Sequence, residues 1–169
     1  MLGALGSAAF VAIALRPDTA APPAKPLFFY LVPLLRCAAL LSRAEAVSAD
    51  ADWAGLAQLR RSVLGDPNNL KDALGSAAAA LQEPRTQERA KALAVSVLEY
   101  VDQADYAAYF DSRAPPTGAQ NAEFAAFSGK AIRAAEARLA EFLALMPSED
   151  LEAARANAAG GAFFAGADQ

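Results

Sequence analysis

Glu99, Asp102 and Asp105 stand at i, i+3 and i+6 in a stretch with helical periodicity. On a helix they are near neighbours on one surface, and carboxylates so spaced can bind a metal ion. Di-iron helical bundles, however, combine Glu-x-x-His pairs from facing helices. This chain has no histidine, so the three acids read as a solvated acidic face. Ser128-Gly129-Lys130 imitates the end of a phosphate-binding Walker loop. That loop needs an upstream glycine, a preceding strand and a cradle of backbone N–H groups. Here the tripeptide falls within a helical stripe, which makes the match a coincidence and assigns Gly129 to a close helix contact.

The absence of histidine removes the commonest general base and the commonest metal ligand. Ser-His-Asp and Cys-His sites are excluded, as are His-ligated zinc, copper and haem. The single cysteine, Cys37, excludes an internal disulfide and a cysteine cluster. In an Ala- and Leu-rich helical stretch it is expected to be a small buried hydrophobe. No catalytic, cofactor-binding or metal-ligating residue is assigned, and no enzymatic activity is expected. Two basic clusters remain, Arg60-Arg61 and Arg85, Arg89 and Lys91. They fit either surface ion pairing or docking on an acidic partner. Tyr100, Tyr106, Tyr109 and Phe110 make an aromatic-rich region that suits core packing or an interface.

These residues must be positioned by helices. The 169-residue chain is 55% apolar, rich in Ala, and poor in the β-branched and aromatic runs that mark strands. All-α is the expected class, with length enough for one domain with a real core. Its net charge of -4 and lack of a basic stripe argue against nucleic acid as a partner.

Residues 1–32 read as an arm. Met1 to Leu15 is almost wholly apolar, but as a helix it would span about 22 Å, short of a hydrocarbon core of about 30 Å. Pro17, Pro22, Pro23 and Pro26 then favour an extended path. Residues 33–146 read as an antiparallel four-helix up-down bundle. The first helix is expected to begin near Pro33 and to bury Leu34, Cys37, Ala38, Leu41, Ala44 and Ser48. The second starts at the N-cap Asp52, carries Trp53, Leu56, Leu59 and Val63, and is interrupted at Gly65-Asp66-Pro67. Pro67 is expected in the first turn of the restart, followed by Leu70, Leu74, Ala77 and Leu81. The third runs from about Arg85 or Thr86 to about Phe110, with Ala90, Leu93, Val97 and Val101 inward. The fourth covers about 120–145, with Phe124, Phe127, Ala131, Ala135, Leu139, Phe142 and Met146 inward. Residues 147–169 read as a short helix opened by Ser148, then a tail bearing Phe163 and Phe164.

Phe29-Tyr30-Leu31-Val32-Pro33-Leu34 joins arm to bundle, and with later segments it carries a resemblance. Residues of about 28–146 resemble the PsbQ family, extrinsic subunits on the lumenal side of photosystem II, and its relatives in other photosynthetic complexes. Phe29, Tyr30, Leu31, Pro33 and Leu34 match the family's Phe-Tyr-Leu-x-Pro-Leu element. Trp53-Ala-Gly-Leu56 resembles its tryptophan at the junction of helices 1 and 2. Asn69-Leu-Lys-Asp72 resembles its second helix and Leu98-Glu-Tyr-Val-Asp102-Gln-Ala-Asp105-Tyr-Ala its third; the fourth matches in character. The chain departs from the family in being acidic, in its broken second helix, and in its apolar leader and fifth helix. The resemblance implies a non-catalytic subunit, peripheral to the thylakoid membrane in the plastid lumen. Its partners would be photosystem core or antenna proteins. At photosystem II it would help retain the calcium and chloride used in water oxidation, without an assigned cofactor of its own. An antenna-to-photosystem linker without effect on oxygen chemistry, and an unrelated helical ligand-binding bundle, stand beside it. The partner-binding residues expected are Phe28, Phe29, Tyr30, Leu31 and Pro33, the pair Arg60 and Arg61, and Phe163 and Phe164.

Overall fold

A computed structural model describes residues 25–104 and 117–160. Among them are six helices and no strand, so the described chain is all-α. The helices are α1 (Leu27–Ala49), α2 (Trp53–Leu64), α3 (Leu70–Ala79), α4 (Pro84–Gln103), α5 (Gly118–Leu143) and α6 (Ser148–Gly160).

The first helix begins six residues before the expected start at Pro33, and that proline lies inside it. An interior proline loses a backbone hydrogen bond and costs about 3 kcal/mol. The extension buries Leu31 completely and packs Leu27, Phe28, Tyr30 and Val32 against the core. Full burial of one leucine contributes about 1.5–3 kcal/mol, so Leu31 with its half-buried neighbours outweighs the loss. Phe29 to Leu34 is therefore helical, not the end of an extended arm.

Short local devices set the other helix ends. The Asp52 carboxylate accepts from the Gly55 N–H at 2.9 Å, capping α2 as expected. A Cβ on Gly55 would stand 2.3 Å from Asp52 Oδ2 and 3.2 Å from Val47 Cγ1, so this close cap requires glycine. The interrupted segment is two helices, and the second restarts beyond Pro67, not on it. Asn69 takes a left-handed conformation (φ 42°) before Leu70, which asparagine tolerates better than most residues. The buried Asn68 bridges back, donating from Nδ2 to the Ser62 carbonyl at 2.8 Å. Pro84 opens α4, where its missing N–H is harmless. Gln87 Nε2 reaches back to the carbonyls of Ala79 and Leu81, covering the end of α3. Thr117 and Gln120 form a reciprocal capping box at the start of α5. Acidic Glu149 and Asp150 occupy the first turn of α6.

Helix α1 is the hub, packed against α2, α3, α5 and α6, while α4 packs on α5 and α3. The inward stripes follow the expected periodicity in most places. Leu34, Cys37, Leu41, Ala44 and Ser48 of α1 are buried, as are Ala90, Leu93, Val97 and Val101 of α4. On α5 the stripe is rotated slightly. Phe127 is 42% exposed, and Ser128 and Ile132 are buried beside Phe124 and Ala131. Ala154 of α6 is fully buried in the main core, so the short C-terminal helix packs with the others. Helix α1 is also long and apolar enough to cross a membrane, but its inner stripe is committed to these helices.

Candidate docking surfaces

The Phe29–Leu34 segment at the start of α1 divides into two faces. Leu31 and Leu34 point into the core with no exposed surface. Leu31 is thus removed from the expected partner-binding set: a helix turns it inward three residues before Leu34. Pro33 is half-buried within the helix, and Phe28 and Tyr30 are half-buried against the core. Phe29 alone of the five is well exposed, at 51%. Its ring lies 4.8 Å from that of Phe28, and the Lys25 ammonium sits 5.9 Å from its centroid, within cation–π range.

Arg60 and Arg61 do not form one basic patch. The Arg60 guanidinium donates to Asp102 Oδ1 of α4 at 2.7 Å. Its stem lines a small apolar cavity with Leu41, Leu56, Val63, Val101 and Ile132. Arg61, about 100° further round the helix, is exposed. Asp102 is therefore engaged in an ion pair, and Asp105 lies outside the described residues. Among the described residues no group of three His, Cys, Asp or Glu is placed to hold a metal ion. Phe163 and Phe164, with Tyr106, Tyr109 and Phe110, also lie outside them.

The α2–α5 corner is held by Trp53, the first residue of α2. Trp53 Nε1 donates to Asn121 Oδ1 at 3.1 Å, and its ring meets Phe124 edge-on with centroids 6.4 Å apart. Ser48 Oγ donates to the Ala125 carbonyl at 3.3 Å, joining α1 to α5. Ser128 and Gly129 are buried inside α5, with helical backbone on both sides. A Cβ on Gly129 would meet Arg133 at 3.6 Å and Ser48 at 4.0 Å, ordinary contact distances. The close helix approach expected at Gly129 is not tight enough to demand glycine.

Charge on the α1–α5 seam is not fully balanced. Arg133 donates to Glu45 at 2.8 Å. Burial and repulsion from Glu45 raise the Glu136 pKa, while a Ser42 hydrogen bond and Arg133 oppose the shift. A raised folded-state value means that the stability Glu136 contributes is fully present below its unfolded pKa. It is lost as pH rises through the folded value. Glu136→Gln is accordingly expected to stabilise the protein at neutral pH. The gain should fade as pH falls below about 4, near an ordinary glutamate pKa. Denaturant midpoints for both proteins from acid to neutral pH would check this; a gain that grew with acid would contradict it.

A second surface emerges only from the fold. Arg36, Leu40 and Arg43 of α1 line an open groove with Ser62, Pro67 and Asn68 from the α2–α3 region. Sequence reading missed these arginines because they are single and separated. The available signal was negative: no Asp or Glu occurs between Lys25 and Arg43, in a chain of net charge -4. No family model, curated protein or solved structure matches the chain.

Proposed function

We propose that this chain is a non-catalytic, PsbQ-like subunit that docks on the lumenal side of a photosystem or photosystem–antenna supercomplex and stabilises it. At photosystem II it would support oxygen evolution by helping to retain calcium and chloride. In this reading the helices form an antiparallel four-helix up-down bundle. Helices α2 and α3 make one broken leg, α1, α4 and α5 make the others, and α6 is an addition. The carrying observation is the Phe29-Tyr-Leu-Val-Pro-Leu34 element, which opens α1 with an outward aromatic at Phe29 and inward leucines. Arg61 and the exposed Arg85, Arg89 and Lys91 supply charge for an acidic partner surface.

A preformed helical body loses little conformational entropy on docking, so modest surface patches suffice. The residues preceding α1 would act as the anchor. The test is co-purification of the tagged chain from thylakoid membranes in mild detergent. Photosystem or antenna chains should be recovered with it, and removal of residues 1–26 should abolish their recovery. A free monomer carrying a small ligand would sink the proposal. Unchanged association after the deletion would remove the anchor from it.

A further inference from the structure

We draw no further inference here: the strongest candidate, the open groove between α1 and the α2–α3 region lined by Arg36, Leu40, Arg43, Ser62, Pro67 and Asn68, carries nothing, because Arg36 is already engaged, the Asn68 carboxamide oxygen is closed off from solvent, and nothing in the structure shows what covers the groove.

Discussion

Leu31→Ala is expected to lower the unfolding free energy by about 2–5 kcal/mol, the range for a leucine removed from a packed core. The neighbouring Phe29→Ala, two residues earlier on the outward face, should change stability by only about 0.5 kcal/mol. Leu31 has no exposed surface and belongs to the main core with Leu34, Cys37 and Phe142. Phe29 is half-exposed, with Phe28 and Lys25 as its ring contacts. Chemical denaturation of the two variants separates the faces of an element that sequence resemblance treats as one. Comparable losses in both would mean that the N-terminal turns of α1 are not packed as described. A small loss at Leu31 would return that residue to the surface, where it could meet a partner.

The second large effect is alkaline. Burial pushes the Cys37 thiol up to about 12. The side chain is fully enclosed, and its S–H donates to the Val63 carbonyl at 3.7 Å, a bond the thiolate cannot make. An unfolded thiol titrates near 8.5, so above that pH the unfolded chain binds fewer protons than the folded one. Stability from Cys37 is complete below the unfolded pKa and is lost as pH rises towards the folded value. The loss should be about 1.4 kcal/mol for each pH unit above about 9. Cys37→Ala leaves a small cavity, so it should be the less stable protein at pH 7. It lacks the thiol slope, and the difference between the two should shrink as pH rises. Unfolding curves for both proteins at pH 7, 9 and 10.5 would show this convergence. Parallel stability profiles would mean that Cys37 is hydrated. For the same reason Cys37 in the folded protein should resist thiol reagents at neutral pH, as a buried, protonated sulfur is a poor nucleophile.

The legible parts of this fold were those governed by local chemistry. The α4 stripe from Ala90 to Val101 needed only its 3.6-residue period, and all four positions are buried. The Asp52 cap and the break around Gly65 followed from side-chain and backbone preferences acting within a few residues. The misread parts depended on what lay across the core. Pro33 suggested a helix start because proline is favoured in a first turn. The helix runs through it since Leu31 finds a place among α1's partners. Phe127 fitted the α5 stripe by spacing, yet a small rotation favours Ser128 and Ile132. Such a rotation costs little in local geometry, so only the opposing surfaces select it.

The candidate surfaces divide in the same way. Arg60 and Arg61 are adjacent in sequence, but neighbours on a helix are about 100° apart. One reaches Asp102 while the other faces outward. Phe29, Arg36 and Arg43 are separated in sequence and share a face for the same geometric reason. By itself the sequence determined the all-α class of the described residues, and a chain without histidine, with one cysteine and with no acid from Lys25 to Arg43. Composition, period and caps are properties of neighbouring residues, so a single strand of letters carries them. The tertiary structure alone decided which side of α1 became core and which remained outward. That choice rests on burial against α2, α3, α5 and α6, which no residue of α1 can specify without them.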